Sequence, residues 1–333
     1  MSENEESFTY KNAGVDIHEA AALVGDINDL RQRTEGGRQL MQAFGLFAAS
    51  YDLSDYKQPV IVTGCDGVGT KLELLLEYDL LEIAGKDLVA MNVNDILTTG
   101  GDPLMFLDYV GVGAIDKTKI KRLISGMAEH LESCDCILAG GETAEMPGIV
   151  PDNMVELSGF CVGAVEKPEM IDPTRVEVGD VLVGYPSDGF HANGWSLIRK
   201  IIAAFPDEVT REEMAEMLAP TRLYHDACNG LKEAGADVRA YAHITGGGLP
   251  ENLERLLGEK GAEITIPKWE LGAVQKILQH VDNDQEAIST FNMGWGWVAI
   301  VPAADAEKAT SFHEGAKVLG EVTDGGGVNV QIG

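Results

Sequence analysis

Pro59-Val60-Ile61-Val62-Thr63-Gly64-Cys65-Asp66-Gly67-Val68-Gly69-Thr70-Lys71 is the stretch on which the fold turns. Its short apolar run predicts a strand, and a carboxylate, two glycines, a hydroxyl and a lysine gather where that strand ends. This is phosphate-site chemistry, because glycines bare the backbone N–H groups while the acid and the lysine handle a cation and charged oxygens. A second cluster, Gly140-Gly141-Glu142-Thr143-Ala144-Glu145-Met146-Pro147-Gly148, follows another apolar run, Cys136-Ile137-Leu138-Ala139. Two acidic, glycine-rich turns facing one cleft would form a metal–nucleotide site, with Asp66, Gly67, Gly69 and Thr70 on one side and Gly140, Gly141 and Thr143 on the other. The common nucleotide motifs are missing. Gly64 to Lys71 lacks the Gly-Lys-Ser/Thr ending of a P-loop, and neither Gly67-x-Gly69 nor Gly111-x-Gly113 continues as a dinucleotide fingerprint.

Helical spacing runs from Ile17 to Arg33 and stops at Thr34-Glu35-Gly36-Gly37. A glycine-containing stretch, Gly36 to Ala49, precedes the first strand. A second helix is expected between Gly85 and Gly101, with Leu88, Met91, Asn92 and Asp95 on one face, so Asp95 sits on an apolar side and needs a partner. Pro103 to Gly113 reads as a strand, Lys117 to Ser133 as a helix, Val155 to Val165 as a strand. Apolar periodicity lapses over Pro168 to Asp180. Beyond it come a strand at Asp180–Tyr185, a helix at Asn193–Ala204 capped by Asn193, a helix at Thr221–Ala234, and strands at Arg239–Ile244 and Trp297–Val301. Strands and helices interleave in both halves, which gives an α/β (α+β) chain of two mixed α-β domains, spaced too irregularly for a doubly wound nucleotide fold. The expected division is an N-terminal helical, glycine-containing segment (1–55), a first domain (56–168) and a second (169–333).

Composition narrows the partners. With 333 residues the chain is long for one core, and a formal charge of −29 repels phosphate backbones and anionic lipid, so neither nucleic acid nor a membrane surface is an expected partner. An anionic substrate then needs a divalent cation, helix starts and a few basic side chains. The acidic start Met1-Ser2-Glu3-Asn4-Glu5-Glu6 is unlike a signal peptide, which points to the cytoplasm. Five cysteines read as reduced thiols, and Cys134-x-Cys136 is too close and isolated for zinc.

Asp66, Asp95 and Glu142 would repel one another if they converged without a cation, and magnesium, held by carboxylates and phosphate oxygens, resolves that. Each acid taken alone also reads as a cap on a turn or helix. Lys71 can neutralise charge on a transferring phosphoryl group, or it simply opens a helix at the surface. In Ser187-Asp188-Gly189-Phe190-His191-Ala192-Asn193-Gly194, His191 stands at a helix start where an imidazole meets an anion or moves a proton; the plain alternative is a structural loop histidine. Thr245, Gly246 and Gly247, with Gly248, offer backbone N–H groups to phosphate or make an ordinary turn.

Seven stretches, in order over nearly the whole chain, carry a resemblance: YKNAGVDI (Tyr10 to Ile17), DGVGTK, VNDILTTGGDPLMFLDY (Val93 to Tyr109), GGETAEMPG, SDGFHANGWSLIRK, LAPTRLY (Leu218 to Tyr224) and HITGGGLPEN (His243 to Asn252). They closely resemble the phosphoribosylformylglycinamidine cyclo-ligases, or aminoimidazole ribonucleotide synthetases, of purine biosynthesis. That superfamily also holds formylglycinamidine ribonucleotide synthetases, thiamine monophosphate kinases, selenophosphate synthetases and a hydrogenase-maturation protein. Asp66, the Asn94-Asp95 pair and Glu142 resemble elements shared across it, which adds Asn94 to the nucleotide-binding candidates, while YKNAGVDI and GGETAEMPG look particular to the cyclo-ligases.

The resemblance implies ATP as substrate with Mg2+ and K+ as cations, and formylglycinamidine ribonucleotide as the molecule cyclised. It also implies a homodimer whose N-terminal domains share a β-barrel, with ATP near the subunit interface. An independent expectation points the same way: Met105 to Val112 is a long apolar strand, and as an uncovered edge it would aggregate unless paired. Departures from the family occur at Asp26–Arg33, at Gly36–Gly45, at Cys65 in place of threonine, at Ala192 in place of serine, and at Trp295 and Trp297. A superfamily kinase or glutamine-linked synthetase ranks second, and a non-catalytic nucleotide-binding module third.

Overall fold

A computed structural model describes residues 17–36, 40–41, 48–270 and 272–333. The motif from Tyr10 to Asp16 and most of the Gly36–Ala49 stretch lie outside the described residues. The first half runs α1 (Ile17–Thr34), β1 (Pro59–Gly67), α2 (Lys71–Glu77), α3 (Leu81–Leu97), β2 (Asp102–Val112), α4 (Lys117–Ser133), β3 (Ile137–Glu145) and β4 (Val155–Glu166). Its strands lie in the order β1-β4-β2-β3, antiparallel except for β2 and β3, which run parallel and are joined through α4.

The second half runs β5 (Val181–Pro186), α5 (Trp195–Ala204), α6 (Arg211–Met217), α7 (His225–Glu233), β6 (Ala240–His243), α8 (Gly248–Leu257), β7 (Gly261–Ile266), α9 (Val274–Leu278), α10 (Asp284–Thr290), β8 (Trp295–Val301), α11 (Ala306–Ser311), β9 (Lys317–Thr323) and β10 (Gly327–Ile332). Its sheet has the order β10-β7-β9-β5-β8-β6. Strand β8 is buried at every residue, as its continuous apolar run requires. The mixed α-β architecture with two sheets is therefore as the sequence reads.

Helix α3 organises the molecule. Its polar residues Asp87, Asn92 and Asn94 are as buried as its leucines and valines, because it packs on β1 and β4 with one side and meets α7 and β6 with another. Against α4 it approaches at glycines: a Cβ on Gly85 would stand 2.0 Å from Leu123 O, and one on Gly126 2.0 Å from Glu82 O. No larger residue fits either place. The Lys117–Ser133 helix is capped at Asp116, whose carboxylate accepts from the Thr118 and Lys119 amides.

Four readings change with the structure. The Gly140–Glu145 cluster is not a turn but the second part of β3, since β2 offers it a parallel ladder from Leu107 to Val112. Strand β2 is not an edge, being hydrogen-bonded to β4 on one side and β3 on the other. Gly194, in the left-handed region, precedes α5 in place of Asn193. The helix expected from Thr221 begins only at His225, because Asp87 holds the Thr221 amide and hydroxyl and keeps the chain out of helical geometry.

One face of the first sheet lies against the helices and the other is open. On the open face Ile61 is 61% exposed and Phe160 44%, with Cys65 beside them. Cys65, Cys161 and Cys228 carry free thiols. No helix among the described residues is long and apolar enough to cross a membrane.

Candidate functional site

Asp66 stands near the end of β1 and is fastened there by α3: its amide donates to Asn92 Oδ1 at 2.9 Å, and Asn92 Nδ2 donates back to Asp66 O at 3.2 Å. The Gly67 amide donates to Asp66 Oδ1 at 2.7 Å. Burial pushes the Asp66 carboxyl above its ordinary value; the Gly67 bond opposes this, Asp95 adds to it and His243 offsets it. Asp66 and Asp95 are therefore electrostatic neighbours.

Asp95 does have a partner, though not in an apolar surround. Its side chain is 45% exposed, and its Oδ1 lies 2.9 Å from His243 Nδ1. The other ring nitrogen, Nε2, is 3.4 Å from Asn94 Nδ2, which can only donate, so the network places the His243 proton on Nδ1, directed at Asp95. Nothing in the helical spacing of α3 points to His243. In the sequence it stands out only as the first residue of the motif HITGGGLPEN.

Around this pair the two halves of the chain meet. Thr70 Oγ1 is 3.1 Å from Ser196 Oγ, a Cβ on Gly69 would stand 4.0 Å from Ala192 O, and a Cβ on Gly246 would stand 3.7 Å from Asn193 Oδ1. Asn252 Nδ2 donates to the carbonyls of Gly246 and Gly248 at 3.1 and 2.7 Å, tying down the glycine turn at the start of α8 from behind. Gly69, Thr70 and Gly246 are exposed, and Thr245 and Gly247 half-buried. A rim of hydroxyls, glycines and two carboxylates results, with the N-terminus of α8 behind it.

Three expected site residues lie inside the protein instead. Lys71 is fully buried, with Nζ 2.7 Å from both Asp87 Oδ2 and Ala219 O. Burial lowers its pKa and Asp87 pushes back. An ammonium held this way spends two of its three donors inside the protein. Asn94 is used within the protein: Nδ2 donates to Arg222 O at 2.9 Å and Oδ1 accepts from the Tyr224 amide at 3.2 Å. His191, in the left-handed region at φ 54°, accepts at Nε2 from the amides of Asp188 and Arg222 at 3.2 and 3.4 Å. Burial, then the electrostatic influence of His243, Lys71 and Arg222, pulls its pKa well below the usual histidine range. In this placement it clamps two loop amides as a neutral ring.

The second acidic cluster does not join the first. Strand β3 is separated from β1 by β4 and β2, about 14 Å at the usual strand spacing. Glu142 is exposed and its electrostatic neighbour is Asp108, whose carboxyl burial pushes up to about 7, against a backbone hydrogen bond and with Glu142 adding to the rise. Gly140 and Thr143 are half-buried and Gly141 exposed on this strand, where a Cβ on Gly141 would collide with Asp108 Oδ1 at 2.3 Å. Among the described residues of one chain no three potential ligands from His, Cys, Asp or Glu gather as a metal group, and Glu142 stands apart from Asp66 and Asp95. Asp66 and Asp95 remain, and they suit magnesium, which is commonly held by one or two carboxylates with the remaining oxygens from substrate phosphate and water.

Sequence reasoning passed over Arg222 and Asp188. Arg222 Nε donates to Asp188 Oδ2 at 2.8 Å and Nη1 lies 2.8 Å from His313 Nε2, a half-exposed cation beside the His191 loop. Trp297 is fully buried in β8, stacked on Tyr224 with centroids 5.4 Å apart and 6.1 Å from the His243 ring.

Family models described as AIR synthase related protein match the chain twice, the N-terminal domain over residues 47–165 and the C-terminal domain over 177–333. A phosphoribosylformylglycinamidine cyclo-ligase of Aromatoleum aromaticum is 44% identical over 326 residues, 95% of this chain and 93% of its own. The chain belongs to this cyclo-ligase family. A further cyclo-ligase, from Carboxydothermus hydrogenoformans, is 41% identical over 337 residues, covering 96% of this chain and 97% of its own. Among solved structures, a thiamine-monophosphate kinase from Stenotrophomonas maltophilia superposes with a TM-score of 0.66 at 17% identity, covering 91% of this chain and 94% of the kinase. Hydrogenase maturation protein HypE in complex with ATP gives 0.66 at 15%, covering 92% of this chain and 86% of that one. At such identities the likeness is one of fold.

Proposed function

We infer that this cyclo-ligase closes the imidazole ring of formylglycinamidine ribonucleotide to give aminoimidazole ribonucleotide, ADP and phosphate, in purine biosynthesis. The observation that carries the reading is near-full-length identity of about two residues in five to relatives of that name. The kinase and the maturation protein share the fold at less than half that identity and do not compete with it.

The chemistry suits a site of charge and hydrogen bonds without a covalent nucleophile. ATP transfers its terminal phosphoryl group to the formamide oxygen, the neighbouring amidine nitrogen attacks the same carbon, and the oxygen leaves as phosphate. The oxygen becomes a good leaving group and the nucleophile is already tethered, so the protein's part is positioning and charge neutralisation. In this proposal Thr70 and the glycines at 67, 69, 246 and 247 lie along the polyphosphate, and Asp66 and Asp95 hold Mg2+, which when bound neutralises phosphate charge. His243 keeps Asp95 oriented through Nδ1. Mg2+ rests on that carboxylate pair, and K+ on the resemblance alone.

The proposal extends to a cytoplasmic homodimer, with the chain divided at 1–55, 56–168 and 169–333. What supports the dimer is the open face of the first sheet: Ile61, Phe160 and their neighbours form an apolar surface that a second copy would cover. The decisive experiment is incubation with formylglycinamidine ribonucleotide, ATP and Mg2+. A diazotisable aminoimidazole product formed in step with ADP is expected; no product with ATP intact would sink the reading.

A further inference from the structure

Lys71 and Asp87 form an ion pair with no exposure at either side chain, and neither is needed there by the chemistry above. A buried pair of this kind is a weak source of stability, because desolvation offsets most of the attraction. Its location is more informative. Both residues belong to the first half of the chain, and both reach the same strip of the second. Lys71 Nζ donates to Ala219 O at 2.7 Å, and Asp87 Oδ1 accepts from the Thr221 amide and hydroxyl, each at 2.7 Å.

Two helical turns further along α3, Asn94 grips the same strip through Arg222 O and the Tyr224 amide. The segment from Ala219 to Tyr224 is therefore held by Lys71 at one end and by Asp87 and Asn94 of α3 along the rest, with Arg222 fastened through its carbonyl. Its amide donates to His191, and its guanidinium pairs with Asp188 on the loop that leads to Ser196. Lys71 also sits next to Thr70 and five residues after Asp66. The hexapeptide that carries the rim carboxylate thus carries the strut that locates the opposite wall.

We propose that Lys71 is a positioning residue: with Asp87 it holds the Ala219–Tyr224 segment against α3 and so sets where Arg222 and the 187–196 loop stand relative to Asp66 and Asp95. The inference rests on the proposed cyclo-ligase reaction and assigns Lys71 no contact with substrate. A residue that acts this way affects how well the closed cleft binds; one that touches the moving phosphoryl group affects the rate of the chemical step.

The test compares Lys71→Met, Asp87→Asn and the double variant with the full-length wild type. Each is assayed well below its own melting temperature, alongside hydrogen exchange of the 219–224 segment. Each single variant leaves a buried charge uncompensated. The double variant is neutral, and the amide oxygen that Asp87→Asn introduces still accepts from Thr221. The expected result is a KM for ATP or ribonucleotide raised at least about tenfold in each single variant, with kcat changed much less and exchange faster at 219–224. The double variant should return KM and exchange to within about threefold of wild type. A double variant that regains its melting temperature and its slow exchange, yet keeps a kcat as low as Lys71→Met with near-normal KM, would show the ammonium acting on the phosphoryl group and overturn the proposal. Single variants that melt early but show wild-type kinetics when folded would overturn it too. If the wild type itself forms no imidazole, the reaction assignment fails, and exchange and melting alone decide on the strut.

Discussion

Asp66–Lys71 and Gly140–Glu145 look like duplicates as strings of letters, each an apolar run followed by glycines, an acid and a threonine. In three dimensions they differ completely. The first ends a strand at the sheet's edge, starts a helix and meets the other half of the chain at Ser196 and Ala219. The second continues as strand β3, where Glu142 pairs in register with Tyr109 and raises the pKa of the neighbouring Asp108. The difference teaches that the same string of letters can end a strand and open a helix or simply prolong an edge strand, where pairing on one side engages only alternate N–H groups.

The sharpest way to break the comparison is Asp87→Ala. It should lower stability by about 3–5 kcal/mol, because Lys71 is left buried and unpaired, and denaturant unfolding followed by circular dichroism reads this directly. A loss below about 1 kcal/mol would mean that the first cluster is no better anchored than the second.

Asp108 probes the second cluster through pH. Its folded pKa of about 7 lies above the unfolded carboxylate value, so the fold favours the protonated form. Its contribution to stability is fully present below about pH 4 and is lost as pH rises through 7, on the order of 4 kcal/mol in total. Asp108→Asn should therefore raise the melting temperature at pH 8 and flatten its dependence between pH 5 and 8. An unchanged slope would place the Asp108 carboxylate in a wetter setting than its buried position on β2 implies.

A smaller effect is expected from Asp95→Asn, which should leave the melting temperature nearly intact while cutting magnesium-dependent ATP turnover on the order of 100-fold. Glu142→Gln, measured in the same assay, should change turnover by less than about threefold. Equal losses in the two variants would restore Glu142 to the rim. The smallest expected effect concerns the proposed dimer: sedimentation equilibrium at low and at high salt should give the same dissociation constant, because screening weakens ion pairs and not apolar burial. Dissociation by salt would shift the contact from the Ile61 and Phe160 face to a charged one.

Much was legible in the chain itself. The Lys117–Ser133 helix, the strands near 103–113 and 155–165, and the mixed architecture follow from periodicity and caps, which are local properties. Family membership follows from ordered motifs such as DGVGTK and LAPTRLY, and the need of Asp95 for a partner from its place on a helix face. Tertiary structure decided which candidates face outward. Lys71, Asn94 and His191 carry polar groups that look available in one dimension, and each is buried because the second half of the chain closes over it and uses its hydrogen-bonding capacity. Glu142 was separated from Asp66 by strand order, which connects residues far apart in sequence. His243 was joined to Asp95, and Arg222 to Asp188, in the same way. Local sequence sets what each group can bond to, whereas burial and partner choice depend on contacts between distant segments, and those exist only once the two sheets and α3 have packed.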